Sequence, residues 1–307
     1  MATRRDFLKY SAAIAGSFAA LPEVARAAGK SQTTAARKGK AGFTLWQIPS
    51  HSNTIGNSYV FLTAKGKVVV MDGGMPEEAN TLRGFVGALG NEVEAWFISH
   101  PHMDHMGALL EILKSQQDLK IKHIYHSRLS ETVRKAEEGA AGQCQEFYDN
   151  LEKSGIPVTD IRKPGDTYTF DGMSLKILSV ANEITENAYN NSSMIMRVWD
   201  KRKSMVFLGD AGVECGELAL KGDFKDELNC DYLQMAHHGQ RGCNREFYHS
   251  IKFRACLWPT PLWVWNNDAG QGFNTSWLKT VETRTWMKEI GITEHYVSCE
   301  DGLCKIE

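Results

Sequence analysis

The sequence predicts a layered α/β domain beginning near Phe43, and three observations carry that prediction. Strand-type apolar runs alternate with helix-type periodic runs over nearly all of the chain from Phe43 to Glu307. No repeat of short period interrupts this order, which excludes solenoids and propellers. The 307 residues, 42% hydrophobic and 23% charged, can bury the core of one large domain or two small ones.

Phe43 to Ile48, Asn57 to Thr63 and Lys67 to Met71 read as successive strands, the last a Val-Val-Val run ending at Asp72-Gly73-Gly74. Glu77 to Leu89 follows Pro76 as a helix, and Val93 to Ser99 is a buried strand. Ser130 to Ser154 carries apolar residues at helical spacing and is expected to be an inserted or covering helix near the site, before Pro157 and a hairpin through Tyr168 to Leu178. Ser193 to Trp199 and Ser204 to Leu208 form a second hairpin around Asp200-Lys201-Arg202-Lys203. Next come strands at Tyr232 to Ala236 and Arg254 to Trp258, a helix from Thr275 to Ile290 and a terminal hairpin.

The domain organisation is read as 1–27, 28–40 and 41–307. Thr3-Arg4-Arg5-Asp6-Phe7-Leu8-Lys9, a weakly apolar run to Leu21 and Ala25-Arg26-Ala27 resemble a twin-arginine signal peptide with its cleavage site. That resemblance implies passage through the twin-arginine translocase as a folded protein, and a periplasmic or secreted location. Residues 28–40 read as a flexible linker. No later stretch approaches the ~18 apolar residues of a membrane span. Removing residues 1–27 takes away a net charge of +2, so the formal charge moves from -2 to -4. A mildly acidic mature chain offers no general nucleic-acid surface, which leaves a small-molecule or cell-envelope substrate as the expected partner.

Seven cysteines leave at least one unpaired in a monomer. In an oxidising compartment, Cys299 with Cys304 and Cys215 with Cys243 are the candidate disulfides. The aromatic loop Trp258 to Asn267 can either line a pocket or pack against the following helix.

The chemistry begins after the strand that ends at Ser99. His100-Pro101-His102-Met103-Asp104-His105 puts His100, His102 and Asp104 at alternate positions, which in an extended segment face one way, while His105 faces the other. Four metal-type ligands in six residues make a half-shell for one or two ions. The motif resembles the HxHxDH signature of the metallo-β-lactamase superfamily, whose fold is an αββα four-layer sandwich, and the likeness runs over nearly all of 43–307. It implies that Asp72 braces the loop, that Asp210 in Gly209-Asp210 bridges two metals, and that His237 or His238 is the late histidine ligand. Where most members carry a further histidine, this chain has Asn190-Asn191-Ser192-Ser193, so Asn190 or Asn191 is the candidate replacement for the third ligand of the site held by His100 and His102. N-x-x-S followed by Gly-Asp and His-His-Gly resembles the branch of ComEC-type competence nuclease domains and phosphorylcholine esterases. Gln240 and Cys243 stand where that branch has two serines.

The resemblance implies one or two Zn2+ ions, with Mn2+ as an alternative, and hydrolysis by a water whose pKa the metal has lowered. Asp104 and Asp210 would be the catalytic carboxylates. A phosphoester or phosphodiester is the first expected substrate class, because its transition state loads charge onto oxygens beside cations. A lactone or lactam is the second, and a non-catalytic metal-dependent binding protein is the reading from another class.

Overall fold

The computed structural model describes residues 42–307 apart from Asn53. The signal peptide and linker expected at 1–27 and 28–40 lie outside the described residues. Among the described residues, fifteen strands build two sheets. The first sheet takes β1 (Phe43–Gln47), β2 (Ser58–Thr63), β3 (Val68–Asp72), β4 (Glu92–Phe97), β5 (Lys120–Ile121), β6 (Ile124–His126) and β7 (Val158–Asp160). The second takes β8 (Thr167–Phe170), β9 (Met173–Ile177), β10 (Met196–Trp199), β11 (Ser204–Phe207), β12 (Tyr232–Gln234), β13 (Ala255–Trp258) and β14 (Glu294–Val297). The last strand, β15 (Cys304–Ile306), returns to the first sheet beside β1.

Strand alternation explains the layering. In β3, Val69 and Met71 face the second sheet, whose Met205, Phe207 and Leu257 they meet in a shared core. Val68 and Val70 face the opposite way, toward helices α1 (Ala79–Gly87) and α2 (Met103–Lys114). In β13, Ala255 and Leu257 point to the inter-sheet core, while Cys256 and Trp258 meet the outer helices of the other side. A strand buried on both faces favours apolar residues on both, which is why β3 reads Val-Val-Val-Met before Asp72. The result is an α/β four-layer αββα sandwich.

Both sheets change from antiparallel to parallel pairing part-way across. The pairs β3–β4 and β4–β6 are parallel in the first sheet, and β11–β12 and β12–β13 in the second. Parallel strands send their C-terminal ends to one edge, so the loops after β3, β4, β11 and β12 gather there. Those loops carry Asp72, His100 to His105, Asp210 and His237-His238.

Three expectations need correction. The covering helix is two helices, α3 (Glu131–Ala136) and α4 (Glu138–Lys153), broken at Glu137 (φ -132, ψ 70) where its carboxylate is drawn into tertiary contacts. The late helix begins at Thr280 instead of Thr275, because the Asn267 side chain bonds to Asn274, Ser276 and Leu278 and Lys279 adopts a left-handed φ of 66. The terminal hairpin does not form: β14 lies in one sheet, β15 in the other, with the short helix Ser298–Asp301 between them. The cysteines are all free thiols, and Cys215 and Cys243 serve as buried apolar packing. No helix among the described residues is long and apolar enough to cross a membrane.

His126, at the end of β6, packs against Phe147 and Tyr148. Burial, with Arg128 and Arg162 adding to it against the opposing pull of Asp160, moves its pKa down to about 4. The unfolded chain binds this proton near pH 6.5 and the folded chain does not, so stability is full above that pH and is lost as pH falls toward 4. The loss expected from this one group is roughly 3 kcal/mol. Urea titrations across pH 4 to 7 should show that slope in the wild type and a shallower one in His126→Phe. Equal slopes would mean that the group is not buried neutral.

Candidate metal centre

Asp72 closes β3 in a left-handed conformation (φ 57) that Asp tolerates better than most residues. Its Oδ1 accepts from Ser99 N at 2.7 Å. Its Oδ2 accepts from Asn57 Nδ2 at 2.8 Å, Ser99 Oγ at 2.9 Å and His105 Nδ1 at 2.9 Å. Its backbone carbonyl accepts from the Trp96 indole at 2.7 Å. One buried carboxylate thus fixes the exit of β4 and the ring plane of His105.

The motif is not extended throughout. His102 is the N-cap of α2, with φ -84 and ψ 151, and Asp104 and His105 occupy the first helical turn. The expectation that His105 points away from its neighbours is therefore corrected: its ring centroid lies 4.1 Å from that of His100 and 5.3 Å from that of His238. Helical geometry swings Asp104 and His105 to one place. The turn sits tight against Pro76, whose Cδ would be 2.6 Å from a Cβ at position 107, so Gly107 is required there.

Asp104, His105, Asp210 and His238 offer ligand-type atoms all within 4.8 Å of one another. His238 Nε2 is 3.0 Å from Asp104 Oδ2 and 3.4 Å from Asp210 Oδ2. His105 Nε2 is 3.0 Å from Asp210 Oδ1, yet both atoms are buried and neither makes a hydrogen bond. Their separation is right and their alignment is wrong for bonding each other. Two orphaned polar atoms beside a second carboxylate and a second imidazole fit a divalent cation, which would satisfy all four groups. Burial acts to raise the pKa of Asp210, but His105, His238 and His237 together hold it well below the usual carboxylate range.

His237 and His238 both take left-handed backbone (φ 53 and 56) before Gly239, where a Cβ would strike the Trp258 ring at 2.4 Å. His238 Nδ1 faces the Pro259 carbonyl at 3.0 Å, which turns Nε2 into the cluster. His237 faces the Arg241 carbonyl at 3.1 Å, and its Nε2 stays 3.7 Å from Asp210. Of the pair, His238 belongs to the four-residue group.

His100 and His102 form a neighbouring pair, His100 Nε2 lying 3.1 Å from His102 Nδ1. Asn190 donates to Asn187 at 2.9 Å, and its Oδ1 is buried without a partner. The Asn191 amide is fully used, donating to Glu186 O and Glu214 and accepting from Cys215 N, so it holds α5 (Ala188–Asn191) to α6 (Val213–Lys221). Of the two asparagines, Asn190 is the one with an unpartnered amide oxygen. The serine of the N-x-x-S motif joins the site, Ser193 Oγ accepting from Asp210 N at 3.0 Å. One contributor went unread in the sequence: Glu137 Oε1 lies 2.8 Å from His102 Nε2. His249 pairs with Glu289 at 3.3 Å and takes no part in the cluster.

The family model described as "Metallo-beta-lactamase superfamily" matches residues 52–241. The chain belongs to the metallo-β-lactamase superfamily. Most members of that superfamily are metal-dependent hydrolases. Among solved structures, this superfamily chain is similar to the metallo-β-lactamase fold protein YhfI from Bacillus subtilis, with TM-score 0.52 and 13% identity over 86% of this chain and 99% of that one. It is also similar to CmlA, described as a diiron β-hydroxylase from Streptomyces venezuelae, with TM-score 0.51 and 11% identity over 88% of this chain and 55% of that one. At such identities the likeness is one of fold. No curated protein matches the sequence.

Proposed function

We propose that this protein is an exported metal-dependent hydrolase acting on a phosphoester or phosphodiester. The observation that carries the reading is the orphaned pair His105 Nε2 and Asp210 Oδ1, buried and 3.0 Å apart, within reach of Asp104 and His238. These four residues would hold a zinc ion, or manganese in its place, with His100, His102 and Asn190 as a weaker second position. When bound, the cation supplies Lewis acidity toward a water and the attacked centre. Asp104 is the carboxylate that meets incoming groups, because its side chain is 17% exposed and that of Asp210 is 2% exposed. Its Oδ2 lies 3.0 Å from His238 Nε2, so both would turn to the cation, and the other oxygen would be left to orient a water or take its proton. Asp210 stays buried as a fixed negative charge between the imidazoles.

A cavity of about 390 Å³ lies beside the loops that end at Gly56 and begin at Pro259, lined also by His51, Thr54, Leu262 and Ser298. Pro259, one of its lining residues, also faces His238 Nδ1 through its carbonyl at 3.0 Å. The order N-x-x-S, Gly-Asp, His-His-Gly supports the ComEC-type nuclease and phosphorylcholine esterase branch. The departure at Cys243 has a packing reason: its thiol is buried in the outer core and meets the Ala211 carbonyl at 3.4 Å. The test is metal analysis of the purified mature protein, then a panel of phosphodiesters, phosphomonoesters, lactones and lactams. Turnover of phosphodiesters with bound zinc or manganese is expected. Lactone or lactam turnover alone would move the substrate class to acyl bonds, and metal binding without any turnover would make it a binding protein.

Export is proposed from Arg4-Arg5 and Ala25-Arg26-Ala27. Substituting both arginines by lysine should stop periplasmic accumulation, since Lys lacks the planar fork of Arg. Undiminished periplasmic protein in that variant would remove the proposal.

A further inference from the structure

Glu137 sits at the break between α3 and α4, and its carboxylate reaches two elements at once. Oε1 lies 2.8 Å from His102 Nε2, and Oε2 accepts from Tyr189 N at 3.3 Å. The Tyr189 ring stacks on the His102 ring at 5.2 Å and 10°. A carboxylate only accepts, so this contact requires the proton of a neutral His102 to be on Nε2. Nδ1 is then left with its lone pair, facing His100 Nε2 at 3.1 Å. His100 in turn has hydroxyl partners for Nδ1, Ser99 Oγ at 3.2 Å and Ser193 Oγ at 3.3 Å, so its Nε2 is also able to present a lone pair.

We propose that Glu137 is a positioning residue that fixes the tautomer and ring plane of His102, making Nδ1 of His102 and Nε2 of His100 a convergent nitrogen pair for a second divalent cation. The proposal deepens the reading above and rests on a first cation being held by Asp104, His105, Asp210 and His238. It also gives the helix break a purpose. An uninterrupted helix from 131 to 153 would have to give up the non-helical backbone from which Glu137 makes both contacts. By holding Tyr189 N, the same carboxylate anchors α5, which carries Asn190 with its unpartnered Oδ1.

The test compares the mature chain with Glu137→Ala, Glu137→Gln and Glu137→Asp. Zinc titration counts ions and their affinities, and 15N NMR of the metal-free protein reads which imidazole nitrogen of His102 carries the proton. Loss of the carboxylate should weaken the second ion by about 10- to 100-fold and leave the first unchanged. Glu137→Asp should recover part of that loss. The wild type should show the proton on Nε2, and Glu137→Ala a mixture of tautomers. A purely structural role would not move the tautomer. Second-ion affinity in Glu137→Ala equal to wild type, or a wild-type proton on Nδ1, would overturn the proposal. If the wild type binds no zinc, the underlying metal reading fails, and the tautomer comparison still decides the role of Glu137.

Discussion

Replacing Asp210 by Ala is expected to lower hydrolysis at least about a thousand-fold, roughly 4 kcal/mol of barrier, with loss of the tightly held metal. Asp210 is the group around which three imidazoles gather: His105 faces one of its oxygens and His238 the other, while His237 lies just beyond bonding distance. Removing it leaves three imidazoles around a gap, and imidazoles can shed protons, so no uncompensated charge is forced to stay buried. Circular dichroism and the urea midpoint should therefore stay near wild type while bound metal and turnover collapse. Asp104→Ala should behave alike in activity. Full metal content and activity in both variants would show that the cluster is not the working centre.

The opposite pattern is expected of Asp72→Ala, which should cost about 4 kcal/mol of stability. The substitution strands four buried donors, on Ser99 N, Ser99 Oγ, Asn57 Nδ2 and His105 Nδ1, each worth about 1 kcal/mol or more. It also places Ala at a φ of 57, a conformation that L-residues with a Cβ resist. Asp72→Asn should lose less, since Asn accepts that backbone and keeps one acceptor oxygen. Urea unfolding of the metal-free proteins is the measurement, so that altered metal affinity does not enter. A loss under about 1 kcal/mol for the Ala variant would show that the brace is redundant.

The contrast between Asp210 and Asp72 also shows what a sequence discloses. Both are aspartates at strand ends, and both follow apolar runs that mark those strands unmistakably. Their place in the order set by the HxHxDH motif assigns them different expected roles. His100, His102, Asp104 and His105 are legible because four ligand-type residues crowd six positions. Glu137 is not, because a single acid within a charged helical stretch looks like any solvated residue. Its distinction is the contact with His102, 35 residues away in the chain. The helix break at Glu137 is hidden for the same reason, since neither Gly nor Pro occupies that position. The Asn190-Asn191 ambiguity belongs to a different kind: two identical side chains differ only in what surrounds them, and the neighbours of Asn191 come from Glu186, Glu214 and Cys215. The fate of the last strand was equally unreadable, because period and turn residues describe a segment and not the sheet it joins.

That last strand has a consequence for how the molecule is made. β1 is bordered on one side by β2 and on the other by β15, with Leu45 opposite Ile306. A ribosome exposes β1 long before β15, so β1 must wait, with one hydrogen-bonding edge open, until β15 has emerged. Closure over such a separation is entropically slow compared with local hairpins. Completion is therefore a late event, and the interval before it is when an unpaired strand edge is most open to another chain. A fusion that buries or blocks residues 304–306 would prolong that interval, whereas one that leaves them free would not.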